Sequence, residues 1–200
     1  MRLEQLEKLI ELFMRFPGIG ARQAARFAYY LVDENKKTRD DLIAAIAALA
    51  GIRRCGECFR VLGAGSCAVC ADAQRDHSTI TILEKDADLA VFERAGVYDG
   101  HYFVLGGTLS EFGDGEGASR LRFRKLYERI KTTPSICEVI VATDATPEGN
   151  FTARYIEKIL EPLQGERAIK ISRLGRGMST GAEIEYLNRD TLKDALDNRR

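Results

Sequence analysis

Four of the five cysteines stand in two pairs, Cys55-x-x-Cys58 and Cys67-x-x-Cys70, with eight residues between the pairs. Two such turns can aim four thiolates at a single tetrahedral ion, and zinc accepts that geometry with no redox chemistry of its own. Gly63 and Gly65 suit the reversal between them. The competing readings are two disulfides or four buried thiols. An all-sulfur ligand set leaves no position open for water, so the expectation is one structural Zn2+ on Cys55, Cys58, Cys67 and Cys70 rather than a catalytic metal. Cys137 stands apart, just before an apolar strand, and is expected to be a small buried thiol.

A second constellation points to phosphate. Phe16-Pro17-Gly18-Ile19-Gly20 interrupts two helical patterns. Gly18 and Gly20 let the backbone approach a phosphate, and the helix that follows presents unpaired N–H groups there. Arg22 and Arg26 are one turn apart on that helix and share a face. Together they make a compact clamp that is indifferent to base sequence. A plain helical hairpin with solvated arginines is the alternative. The glycine-rich stretch from Gly106 to Gly117 is not a P-loop, because the chain has no Gly-Lys dipeptide. Its Gly113-x-Gly115 spacing matches a dinucleotide fingerprint only weakly. Arg120, Arg122, Arg124, Lys125, Arg129 and Lys131 crowd one helix; the reading is an exposed face partly paired with Glu128, with DNA or a neighbouring subunit as the other use. His77 and His101 read as isolated, with no ligand role.

The elements that must position these groups follow from periodicity. Leu3, Leu6, Leu9, Ile10 and Phe13 mark an amphipathic helix. A second begins near Ala21 with Ala24, Phe27, Ala28 and Leu31 inward. Thr38 with Asp41 resembles a capping box for a third, with Leu42, Ile46 and Leu49 as its apolar face and Gly51 as its end. Strands are expected at 80–83, 102–105, 139–142 and 168–172, alternating with helices at 86–95, 120–131 and 151–160; a last helix covers 191–196. Such alternation implies a parallel sheet with helices on its faces. The chain therefore reads as a helical, cysteine-containing front up to about residue 77 and an α/β domain behind it.

Composition bounds the setting. Of 200 residues, 45% are hydrophobic and 30% charged, which suits a globular protein with a real core. No apolar run is long enough for a membrane helix, and the N-terminal residues lack a signal-peptide pattern. The expectation is a cytoplasmic protein. The formal net charge of zero argues against binding nucleic acid over the whole surface, but not against a local basic patch.

In this order, a hairpin between helices, a four-cysteine site and an α/β domain, the chain resembles the bacterial RecR family of recombination mediators along its whole length. Phe16 to Gly20, the cysteine quartet with Arg75-Asp76, Leu105-Gly106-Gly107, Ala142 to Gly149, Arg176-Gly177, Gly181 and Glu185-Tyr186 carry the likeness. The resemblance implies a helix-hairpin-helix DNA-binding region at 1–53, a C4 zinc finger at 54–77, a Toprim domain at 78–175 and a C-terminal oligomerisation segment at 176–200. It implies a bacterial, nucleoid-associated protein with no catalytic activity. Such a protein would form a ring-like homotetramer on single- and double-stranded DNA and help load RecA with RecO, and in some settings RecF. Arg22 and Arg26 match the family's DNA-contacting positions; Glu84 and Asp88 fall where acidic residues contribute to RecO binding.

Catalytic Toprim domains hold magnesium on a Glu after the first strand and an Asp-x-Asp pair after a later one. Here Glu84 and Asp144 stand in two of those places, and Thr146 replaces the third carboxylate. Weak magnesium binding by Glu84 and Asp144 stays open, but phosphoryl chemistry needs stronger charge neutralisation. Asp144 and Ala145 replace the Asn and Pro usual in the family, which makes this place more acidic. Taken without the resemblance, Glu84, Asp86 and Asp88 read as a solvated acidic helix start that complements the helix dipole. Two rival functions remain: a protein-interaction scaffold that never touches DNA, and a magnesium-dependent Toprim enzyme. The cysteine site, placed between helices and first strand, is expected to staple the junction between the DNA-contacting front and the Toprim domain.

Overall fold

The computed structural model describes residues 3–109 and 121–199. Two compact units divide at Ile52/Arg53. The cysteine loop therefore belongs with the α/β body and not with the helical front, because its apolar neighbours all lie in the second unit.

In the first unit, α1 (Glu4–Phe13) packs on α2 (Ala21–Asp33). Ala24 and Ala28 are fully buried, and their small side chains let the helices approach closely. Phe27, expected inward, is 37% exposed and meets Phe13 edge-on at 5.9 Å. The connection closes with the Ile19 N–H on the Phe16 carbonyl at 3.1 Å. Gly18 there has φ +75°, which a side chain would strain. Helix α3 (Lys36–Ala48) ends in a 3-10 turn, Leu49–Gly51. Its cap is Asn35, whose Oδ1 accepts the Thr38 N–H at 3.0 Å. Thr38 thus lies inside the first turn, because the helix starts three residues earlier than the Thr38/Asp41 pattern implies. Leu42, Ile46 and Leu49, expected to form a buried face, are exposed.

The second unit opens with a two-stranded ladder, β1 (Arg53–Arg54) against β2 (Val61–Leu62), and a short α4 (Ala68–Ala71). Then come β3 (Asp76–Leu83), α5 (Asp86–Ala95), β4 (Gly100–Val104), α6 (Phe123–Thr132), β5 (Glu138–Ala142), α7 (Pro147–Glu166), β6 (Lys170–Arg173), a 3-10 turn at Ile184–Tyr186 and α8 (Arg189–Asp197). The sheet order is β4-β3-β5-β6, and every pair is parallel. Alternation along β3 divides the two faces. Ile80 and Ile82, level with Phe103 and Val141, pack under Leu126 and Ile130 of α6 and Ile156 and Leu160 of α7. Leu83, Tyr102 and Val104 point the other way, toward Leu89 of α5 and the cysteines. Each such fully buried aliphatic side chain contributes about 1.5–3 kcal/mol.

Helix α7 exceeds its expected span at both ends. Thr146 caps it by accepting the Gly149 N–H, and Pro147 occupies the first turn, where its missing N–H costs nothing. Pro162 lies inside it on an exposed position, so the lost backbone bond falls on the solvent side. Cys137 is exposed rather than buried: it precedes β5, and its thiol donates to the Ser135 carbonyl at 3.4 Å. No helix among the described residues is long and apolar enough to cross a membrane.

Candidate functional site

The cysteine quartet forms a closed cluster. Cys55 and Cys70 Sγ are 3.8 Å apart, Cys58 and Cys67 Sγ 3.6 Å, and all four lie within 4.8 Å of one another. A tetrahedral ion with metal–sulfur bonds of about 2.3 Å requires sulfur separations of about 3.8 Å. The donor set thus fits a soft tetrahedral ion. Local backbone geometry makes the fit: the Phe59 N–H reaches the Cys55 carbonyl at 3.1 Å, the Cys55 N–H the Arg60 carbonyl at 2.9 Å, and Phe59 takes φ +60° to close the turn. The Glu57 N–H also points at Cys55 Sγ, 3.4 Å away. Hydrogen bonding from Cys70 draws the Cys58 thiol down to about 6. The reciprocal bond, burial and the neighbouring thiolates push Cys70 up. Such a cluster accumulates negative charge that a divalent ion neutralises.

Residues that the sequence left among surface charges fasten this knuckle to the sheet. Asp86, the first residue of α5, accepts the Val61 N–H at 2.6 Å and pairs with Arg54 at 3.0 Å. Arg129 of α6 pairs with Glu57. Arg122 donates to the Val104 carbonyl at 2.9 Å with its guanidinium 5.4 Å from the centre of the Phe59 ring. The Val104 N–H in turn bonds the Cys58 carbonyl at 2.8 Å. The basic helix is therefore split by role. Arg124 and Lys125 share Glu128 on the surface, as expected, whereas Arg122 and Arg129 are half-buried struts. Arg120 and the stretch from 110 to 117, including Gly113-x-Gly115, lie outside the described residues. Replacing Asp86 by Ala is expected to lower stability by about 1–2 kcal/mol, since it strips the Val61 N–H of its acceptor and leaves Arg54 only the Phe59 carbonyl; a urea unfolding midpoint measures this.

Glu84 and Asp144 come together at the carboxyl ends of β3 and β5, where open parallel sheets bind ligands. Glu84 is not part of a solvated acidic start: it is 2% exposed, and its Oε1 accepts the Asp144 N–H at 2.8 Å. Burial pushes its carboxyl above the ordinary value, only partly countered by that N–H. Asp144 is exposed and lies 3.6 Å from Lys85 Nζ. Thr146 spends its hydroxyl on the α7 cap. Asp88 is half-buried and accepts the Lys85 N–H at 2.9 Å, closing the start of α5. Of the two acidic positions matched to partner binding, Asp88 offers surface and Glu84 very little. Among the described residues, the cysteine quartet is the only group of three or more side chains placed to hold a metal.

At the hairpin, Gly20 precedes α2, is extended and provides no side-chain cap; its carbonyl accepts the Gln23 and Ala24 N–H groups at 3.0 and 2.9 Å, which leaves those of Ala21 and Arg22 at the helix start. Gly18, Gly20, Arg22 and Arg26 are all exposed. Arg26 donates a long bond, 3.4 Å, to Gln23 Oε1.

Comparison with known proteins agrees with this layout. The model of the RecR helix-hairpin-helix matches residues 6–50, and that of the Toprim domain residues 78–175. The recombination protein RecR of Lacticaseibacillus casei is 40% identical over 200 residues, spanning 98% of this chain and 96% of that protein. That of Magnetococcus marinus is 42% identical over 199 residues, spanning 99% and 96%. The chain belongs to the RecR family. A role in recombinational repair comes with that membership. In this RecR-family chain the cysteine quartet lies between the two matched segments, and Glu84, Asp144 and Thr146 lie within the Toprim match.

Proposed function

We propose that this chain is a non-enzymatic repair protein that binds single- and double-stranded DNA as a ring-like homotetramer and, with RecO and in some settings RecF, helps load RecA onto single-stranded DNA at gaps. The observation that carries the DNA contact is the hairpin, where Gly18 turns with positive φ and the exposed Arg22 and Arg26 follow an uncapped helix start. The charge-neutral chain gives a weak field as one copy; repeating one small basic patch around a ring raises avidity without new contacts. Exposed apolar surface supports self-association. In the first unit a groove of about 420 Å³ is lined by Leu9, Phe13, Leu31, Leu42, Ile43 and Ile46. In the C-terminal segment, Ile184 and Tyr186 are largely exposed.

The quartet is assigned one structural Zn2+, from its sulfur-only ligands and tetrahedral spacing. Asp88, with Glu84 behind it, is assigned to RecO. The non-enzymatic reading rests on the acidic site: one carboxylate is buried and bonded, one is exposed beside a lysine, and a threonine caps a helix in the third place. The proposed segments are 1–53 for DNA, 54–77 for the metal, 78–175 for the Toprim domain and 176–200 for assembly, with the protein acting in the bacterial cytoplasm at the nucleoid. The exposed apolar groove also favours a second reading, a scaffold that works through proteins alone.

Solution mass measured with and without single- and double-stranded DNA, in low salt with magnesium, tests these readings together. The expected result is a tetramer that retains both DNAs uncut. A tetramer that retains neither DNA supports the scaffold, and cleavage that Glu84→Gln abolishes establishes the enzyme.

A further inference from the structure

His77 and His101 are 24 residues apart in sequence, yet His101 Nε2 lies 3.0 Å from His77 Nδ1, with ring centroids 4.7 Å apart. A bulge brings them together. The pairing of β3 with β4 jumps from Asp76↔Gly100 to Ile80↔His101, so the residues from 77 to 79 bow out of the ladder. Several groups hold that bow in place. Asp76 Oδ1 accepts the Ser78 N–H at 2.8 Å, the Asp76 N–H reaches the Asp99 carbonyl at 3.0 Å, and the Tyr98 hydroxyl reaches the His101 carbonyl at 3.0 Å. Gly100 is required: a Cβ there would sit 2.2 Å from both Tyr98 Oη and Thr79 Oγ1. Bulges of this kind re-aim side chains at the edges of sheets.

The pair tolerates one protonation pattern well. His101 is 6% exposed and its Nδ1 is buried with no partner, so a proton on that nitrogen would be an orphaned donor. The favourable form has His101 Nε2–H donating to the bare Nδ1 of His77, with the rest of the His77 ring toward solvent. A proton added to His77 Nδ1 sets two N–H groups head to head. The alternative, shifting the His101 proton to Nδ1, buries an unpaired donor. The charged groups facing His101 are Arg75, Asp76 and Asp72; Arg75 is already held by Glu93 at 2.6 Å and the Gly100 carbonyl at 3.0 Å.

We propose that the His77–His101 pair is an acid-labile clasp that locks the β3 bulge onto edge strand β4 at neutral pH and releases it on acidification. Burial, then His77 and Arg75, hold the His101 imidazole below its ordinary value. The unfolded chain therefore takes up a proton at His101 that the folded chain refuses. The clasp's contribution is complete above about pH 6.5 and falls as pH drops toward the lower value of folded His101.

The test compares the whole wild-type chain with His101→Gln, whose amide can donate to His77 Nδ1 or turn its oxygen to accept from it but takes no proton, and with His77→Asn at the exposed position, whose Oδ1 keeps the acceptor while His101 stays buried. Amide exchange at His101 and Ile80, corrected for intrinsic rates and referred to Ile140 in the sheet centre, is followed from about pH 7.5 to about 5.5. In the wild type and in His77→Asn the opening equilibrium at position 101 is expected to rise on the order of tenfold over that range, and in His101→Gln to stay within about twofold. Equal pH dependence in the wild type and His101→Gln, or unchanged protection in the wild type, overturns the proposal.

Discussion

Cys58→Ser is expected to cost the second unit its metal and much of its stability. Structural zinc of this ligand type contributes on the order of 10 kcal/mol to local folding. Cys58 is 1% exposed and meets Cys67 at 3.6 Å, so a serine there leaves three thiols and a hard, poorly matched hydroxyl. The damage should spread, because the Cys58 carbonyl holds the Val104 N–H and the turn around it holds Asp86, Arg122 and Arg129. Metal content per chain and a urea unfolding curve measure both effects. The expected result is loss of the bound ion together with a large fall in the unfolding midpoint or loss of assembly. A variant that stays folded and oligomeric yet no longer holds DNA would make the cysteine finger itself the DNA reader.

The second large effect concerns the hairpin. In the double variant Arg22→Ala, Arg26→Ala, DNA affinity should fall by a similar factor for every sequence, because phosphate contacts carry no base information. Each lost contact also reduces the slope of log affinity against log salt by about 1, so the pair removes about 2 per engaged copy. Both arginines are exposed, so the fold should survive. Anisotropy titrations of labelled single- and double-stranded oligonucleotides across a salt series read out affinity and slope. Unchanged values in both would remove the clamp from these two residues.

The cysteine cluster and the hairpin were legible because both are written in local spacing. Two CxxC turns and a Pro-Gly-Ile-Gly break mean nearly the same thing in any surroundings. The four parallel strands were legible too, from short apolar runs. Other roles depend on which distant element packs above a residue. Asp86, Arg122 and Arg129 look like ordinary surface charges until the cysteine knuckle is laid over α5 and α6. Glu84 reads as part of an acidic helix start, but it follows the last strand residue and turns inward to the Asp144 N–H. His77 and His101 meet only because the β3 ladder loses register, and no periodicity rule signals a bulge of that length. Cys137 misled because free cysteine is usually buried; here the apolar run begins two residues later, at Val139. The exposed face of α3 reads as core because its pattern is amphipathic, which serves equally well for a surface awaiting another chain.

The position of the knuckle against β4 also bears on solubility. β4 is the outer strand of the sheet, and an outer strand offers its backbone to any other extended chain that arrives. Here the Val104 N–H is taken by Cys58, its carbonyl by Arg122, and the Gly100 carbonyl by Arg75. A chain whose cysteine loop came away would uncover that border, and strand-on-strand addition between molecules would become available. The cysteine loop thus doubles as a guard against polymerisation, keeping this flank of the chain shut to open-ended growth.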